Sequence, residues 1–173
     1  MALSGDRAKL YDEEAKRKSG IVASADVAAA WAAARDAAAP AAAGGGGGGG
    51  GAWLVTRLDA AGKALELVAS GASGGLAALR AHLADDAVSW ACVGFAPGYP
   101  YGEGATKFAS LTCVGGAVGA MKKGKVALQK SGVFGAFEGL SADVGVYQGA
   151  AEATDEAVLA ELKRGMPNAQ LLA

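Results

Sequence analysis

Residues Ser89–Lys130 read SWACVGFAPGYPYGEGATKFASLTCVGGAVGAMKKGKVALQK, and this stretch decides the fold. Ser89–Phe95 and Lys107–Val114 are short runs carrying β-branched or aromatic residues, bounded by Gly and Pro, which predicts two strands. The connection between them, Ala96–Gly104, is made of turn formers: Pro97, Gly98, Pro100, Gly102 and Gly104. After Gly115-Gly116 the period changes. Val118, Met121, Lys122, Lys125 and Leu128 recur at steps of three and four, the spacing of one helix face. A helix is therefore expected over Ala117–Leu128, continuing through a break at Ser131-Gly132 into Val133–Leu140. The unit is strand, loop, strand, tight glycine turn, basic helix.

Working outward, Ala52–Asp59 and Ala64–Ala69 read as a hairpin closed by Asp59–Lys63 with its Gly62. Gly75–Leu83 reads as a helix with Leu76, Leu79 and Leu83 on one face. Upstream, Ala25–Ala39 is Ala-rich, so propensity alone favours helix. Ser24 or Asp26 can cap it, Val27 and Trp31 mark its buried face, and Pro40 ends it. Downstream, Val144–Tyr147 is a candidate short strand. Thr154–Arg164 closes the chain as a helix, with Thr154 as cap, Glu156 in the first turn and Lys163-Arg164 in the last. This order of elements predicts an α/β (α+β) domain with a single mixed sheet and helices on both faces.

Residues 1–24 form a charged N-terminal extension and residues 25–170 a single domain. Within that domain, residues 41–51 are an Ala/Gly-rich insertion with eight consecutive glycines, Gly44–Gly51, read as a flexible linker. A phosphate loop is excluded, because such loops need Lys and Ser or Thr directly after the glycines.

Composition excludes several classes of function. Apolar residues make up 52% of the chain and mean hydropathy is +0.25, but alanine inflates both. No run approaches the ~20 strongly apolar residues of a spanning helix, so no membrane partner is expected. The first twenty residues lack the apolar core of a signal peptide, and a cytoplasmic location is expected. Net charge is −1, which argues against nucleic acid as a partner. Cys92 and Cys113 are expected to be reduced packing residues. His82 is the one histidine, too few for a zinc site, and is read as a surface residue. No nucleophile motif and no carboxylate pair is present, so neither catalysis, metal nor cofactor is expected.

The candidate site is a basic cluster: Lys107 at the opening of a strand, then Lys122, Lys123, Lys125 and Lys130 on the helix. Those four helix lysines meet no acidic residue until Glu138. Such a cluster suits an acidic protein surface, recognised by a local patch rather than by whole-molecule charge.

Several of these residues also carry a family likeness. Lys107-Phe108, Leu111-Thr112, Gly115, Val118 and Lys125 resemble the core of the coactosin-like proteins, within the ADF/cofilin homology (ADF-H) family. Trp53–Thr56 with Asp59 resembles that family's first strand, Trp90–Phe95 the strand before its variable loop, and Asp155–Arg164 its C-terminal helix. The resemblance implies a mainly antiparallel sheet between helices and a non-enzymatic module that binds filamentous actin. It also implies a contact role for the lysine matching Lys107, and for a basic long helix at Lys122, Lys123 and Lys125. Cys113 stands where the family usually has Trp. The competing expectation is a structural or adaptor subunit of a larger cytoskeletal assembly, microtubule-based or ciliary, that has kept the fold and lost actin binding. The charged N-terminal extension and the glycine run favour it.

Overall fold

The computed structural model describes residues 20–38, 50–102 and 104–173. Residues 1–19 of the charged extension, Ala39 and Pro40 at the end of the expected first helix, residues 41–49 of the expected linker, and Glu103 lie outside them. In chain order the elements are β1 (Val22–Ala23), α1 (Ala25–Ala37), β2 (Trp53–Leu58), β3 (Ala64–Gly71), α2 (Gly75–Arg80), β4 (Val88–Ala96), β5 (Lys107–Val114), α3 (Ala120–Phe134), β6 (Leu140–Gln148), α4 (Asp155–Gly165) and β7 (Gln170–Leu171).

The strands form one mixed sheet in the order β1-β3-β2-β4-β5-β6, with β7 added beside β4. The pairs β2–β3, β2–β4, β4–β5 and β4–β7 are antiparallel. The outer pairs, β1–β3 and β5–β6, are parallel. Consecutive side chains of a strand point to opposite faces, and both faces of the central strands are apolar. Trp53, Val55, Ala91, Val93, Phe95, Ala109, Leu111 and Cys113 pack on one side with Leu76 and Leu79 of α2 and Val158 and Leu162 of α4. Leu54, Trp90, Cys92, Phe108 and Val114 pack on the other with Val27 and Trp31 of α1 and Val126 and Val133 of α3. Two apolar faces demand two covering layers, which is why helices lie on both sides.

Local chemistry fixes the ends of these elements. Ser24 caps α1, its hydroxyl accepting from the Val27 N–H at 3.3 Å. Trp31 then bridges α1 to the far side of its layer. It meets Phe108 edge-on at 4.9 Å, and its indole N–H donates to the Glu138 carbonyl at 3.1 Å. In the β2–β3 turn the Asp59 carboxylate accepts from the Lys63 and Ala64 N–H groups at 2.7 and 3.1 Å. Those bonds favour the charged form and hold its pKa below the ordinary value.

Four expectations are corrected. The fold begins before Ala25: Ile21 is buried and Val22–Ala23 pairs with β3, inside the stretch assigned to the extension. The linker reading does not hold to its end, because Gly51 is buried, donates to the Ala173 carbonyl at 3.0 Å and accepts from the Gly75 N–H at 2.8 Å. Helix α3 has no break at Ser131-Gly132, since Gly132 and Val133 are buried in its last turn. An interior glycine costs a helix about 1 kcal/mol, less than the burial of the flanking apolar groups supplies. Finally, the expected helical continuation to Leu140 is absent, because α3 ends at Phe134 and a turn follows. The expected strand Val144–Tyr147 is present but longer, as β6, Leu140–Gln148, pairing with β5 from Phe108 to Val114. The two cysteines are free and buried. They lie on opposite faces of the sheet, and burial pushes the Cys92 thiol far above its ordinary pKa.

Candidate functional site

Helix α3 crosses between two parallel neighbours, β5 and β6, so it runs antiparallel to both. Its first turns lie at the Val114 end of β5 and its last turn near the Phe108 end. Of its fifteen residues, Val126, Gly132 and Val133 are buried. The outward face carries Met121, 78% exposed, and Leu128, 81% exposed, with Lys125 between them. This corrects the expected face. The Met121, Lys125 and Leu128 series is periodic because it faces solvent, while Val118, Val126 and Val133 face the sheet.

The lysines separate into distinct groups. Lys122, Lys123 and Lys125 are exposed on the first two turns. Lys123 donates to the Gly116 carbonyl at 3.3 Å. Lys122 and Lys125, with Gln129, form one wall of a cleft of about 310 Å³ whose opposite wall is the β2–β3 turn and the start of β4 at Asp86–Val88. The cleft opens because β2 pairs with β4 only as far as Thr56 and Trp90, and the two strands part beyond that point. Lys130 is half-buried and ion-paired to Asp143 of β6, so its charge is spent within the fold. Asp143 also accepts from the Gly145 N–H at 3.0 Å.

Lys107 lies elsewhere. It opens β5 opposite Phe95 and is partly exposed. The strand is eight residues long, so about 25 Å separates Lys107 from the end of the sheet where α3 begins. The sequence-predicted residues therefore do not make one patch. The N-terminal half of α3 forms one surface, and Lys107 with the β4–β5 loop forms another at the opposite end. That loop exposes two aromatic side chains, Tyr99 at 71% and Tyr101 at 44%.

Sequence reasoning missed Met121, Leu128 and the two tyrosines as surface residues. The tyrosines had a readable signal, since aromatic residues between Gly and Pro in a turn-rich loop have little core to enter. His82 is exposed, as expected, and stacks on Trp53 at 5.2 Å between ring centres. Among the described residues no group of three or more His, Cys, Asp or Glu side chains is placed to hold a metal ion. No helix there is long and apolar enough to cross a membrane.

An α/β sheet layered between helices, with one long exposed basic helix, matches a known class. The chain belongs to the cofilin/tropomyosin-type actin-binding protein family, whose model matches residues 45–163. Its fold is similar to the solution structure of human coactosin-like protein, with 20% identity, a TM-score of 0.61, and coverage of 84% of this chain and 90% of the other. It is similar to coactosin from Entamoeba histolytica at 18% identity and a TM-score of 0.62, covering 84% and 96%. Mouse coactosin, described as an actin filament binding protein, matches at 21% identity and a TM-score of 0.58, covering 84% and 92%. No curated protein sequence matches the chain. The coactosin-like, ADF-H resemblance and the fold class read from the sequence both hold.

Proposed function

We propose that this chain is a non-enzymatic cytoskeletal module of the cytoplasm that binds filamentous actin, with the outer face of α3 as its principal contact. The observation that carries the reading is the make-up of that face. Met121 and Leu128 are two large apolar side chains left almost fully in water, and Lys122, Lys123 and Lys125 surround them. Met121 and Leu128 lie two turns apart on one helix face, so a partner laid along the helix could cover both at once. The lysines supply long-range attraction to an acidic partner, and the apolar pair supplies contact area once water is expelled. Lys107 is the second contact, at the far end of the sheet. Lys130, held by Asp143, contributes least.

Co-sedimentation with actin filaments tests this. The wild-type chain should pellet, and pelleting should fall as salt rises, because exposed charges are screened within about 8 Å at physiological ionic strength. Lys107→Ala should weaken binding with an unchanged thermal melt, and adding Lys122→Ala and Lys125→Ala should weaken it further. A wild-type chain that stays in the supernatant with actin, yet is recovered in a large microtubule-based complex, would replace this reading with the adaptor one. Neither the family nor the solved relatives point to a ciliary assembly.

A further inference from the structure

The β4–β5 loop is held from outside, by the segment after α4. Met166 and Ala169 are buried, and Ala169 donates to the Met166 carbonyl at 2.9 Å, so the chain turns sharply there. That turn projects Asn168. Its side-chain amide donates to the Tyr99 carbonyl at 2.8 Å, a contact across 69 positions of sequence. The next residues form β7, which pairs Gln170 with Ala96 and Leu171 with Phe95, the strand end from which the loop departs.

The loop is shaped to receive this contact. Gly98 has φ of +71°, and a Cβ there would lie 2.6 Å from the Asn168 carbonyl oxygen. Only glycine fits that conformation and that approach without strain. Beyond Gly98, the Tyr101 N–H donates to the Gly98 carbonyl at 2.9 Å and the Ala105 N–H to the Gly102 carbonyl at 3.1 Å. Gly102 in turn is near Lys107, whose Cε would be 3.7 Å from a Cβ built at Gly102. The amide of Asn168 thus holds the first of two successive turns in the loop, and the second, at Gly102, lies near the stem of Lys107. Asn168 itself is exposed, so its side chain is not held in place by core packing.

We propose that Asn168 is a positioning residue, whose amide holds the β4–β5 loop in the posture that presents Lys107, Tyr99 and Tyr101 to the filament. The proposal rests on the docking reading above for its partner, and on the geometry alone for its control of the loop. Without the amide the loop samples other postures, and apparent affinity falls in proportion to the fraction left competent.

The test compares full-length wild type, Asn168→Ala and Lys107→Ala by three measurements: amide hydrogen exchange by NMR, thermal melting and actin co-sedimentation. Asn168→Ala should speed exchange at Tyr101 and Ala105 by about tenfold. It should leave the melt in place and weaken pelleting about threefold to fivefold. Unchanged exchange at Tyr101 and Ala105 overturns the proposal. So does faster loop exchange with wild-type pelleting when Lys107→Ala has lost pelleting, because posture then has no bearing on binding. If no variant differs from wild type in pelleting while Asn168→Ala loosens the loop, the Lys107 contact falls and control of the loop by Asn168 stands.

Discussion

Two helices of this molecule follow opposite rules. In α4 every local choice favours the helix. The Thr154 hydroxyl accepts from the Ala157 N–H at 3.2 Å, Asp155 and Glu156 occupy the first turn, and Lys163 and Arg164 the last. Arg164 also bonds back to Glu161 at 2.8 Å. Val158 and Leu162 are buried and Leu159 is half-buried, so no large apolar side chain of α4 is exposed. In α3 the same choices are reversed. Gly119 stands at the N-cap with no side-chain bond, and no acidic residue lies in the first turn. Lys122 and Lys123 sit instead beside the positive end of the helix dipole. Two of its largest apolar side chains, Met121 and Leu128, face water.

A helix selected for stability alone looks like α4. The first two turns of α3 give up a cap and the dipole match, and the helix leaves two apolar groups in water; its ties to the fold are the Lys123 bond to Gly116, the Lys130–Asp143 ion pair and the buried Val126 and Val133. Local rules broken without gain in the folded state gather at functional surfaces. If α3 is the contact proposed above, substitutions in the two helices should separate: those in α4 into stability, those on the outer face of α3 into binding.

The largest effect is expected from matched leucine truncations. Leu162 of α4 is 1% exposed and Leu128 of α3 is 81% exposed. Leu162→Ala should cost about 3 kcal/mol, through lost transfer energy and the cavity left behind. For a domain of this size that lowers the melting temperature by roughly 10 °C. Leu128→Ala should cost less than about 0.5 kcal/mol while weakening filament co-sedimentation. If Leu128→Ala melts as early as Leu162→Ala, the two helices do not differ as described.

How much of this contrast could be read in the sequence depends on the range of the forces involved. The cap and charge order of α4, the β2–β3 turn and the strands β4 and β5 are encoded within a few residues of themselves, and they appear where expected. The two-residue strands β1 and β7 carry no periodicity and exist only because β3 and β4 offer them an edge. Gly51 is one of eight identical neighbours in the chain. Its difference comes from a distant segment, since a Cβ there would lie 2.2 Å from the Leu172 carbonyl oxygen. Shortening the glycine run should therefore spare stability only if Gly50 and Gly51 are kept. In α3 both faces carry apolar residues at helical spacing, so periodicity found the helix and could not say which face was buried. The lysines were legible from composition. Their division between two ends of the sheet was not, because it follows from the crossover that sends α3 back along β5.

A sharper test sets stability against binding at one residue. Lys122 is exposed in the first turn of α3, where a positive charge opposes the dipole. Lys122→Glu replaces an unfavourable interaction with a favourable one and should raise stability by about 0.5 kcal/mol. The same change should reduce filament binding about tenfold, since it puts a like charge against an acidic partner. Opposite signs in the melt and the pelleting assay are the signature of a working face. A loss in both would mean that Lys122 supports the fold.

The smallest effects lie at the two N-caps. Thr154→Ala removes the hydroxyl that satisfies the Ala157 N–H and should cost about 1 kcal/mol. Gly119→Asp runs the other way. Gly119 has φ −65° and ψ 150°, the extended geometry that a capping residue needs, and nothing lies within 4 Å of a Cβ built there. An aspartate should therefore accept from a free N–H of the first turn and place a negative charge at the positive end of the dipole. The gain is about 0.3–0.8 kcal/mol, because glycine already serves as a fair cap. Thermal melts of both variants beside wild type measure the pair. A stabilised Gly119→Asp that binds filaments less well would show that the bare, positive start of α3 is held for its partner. Destabilisation by Gly119→Asp would show instead that the α3 N-terminus already has all the support its fold requires, and the contrast with α4 would lose its first half.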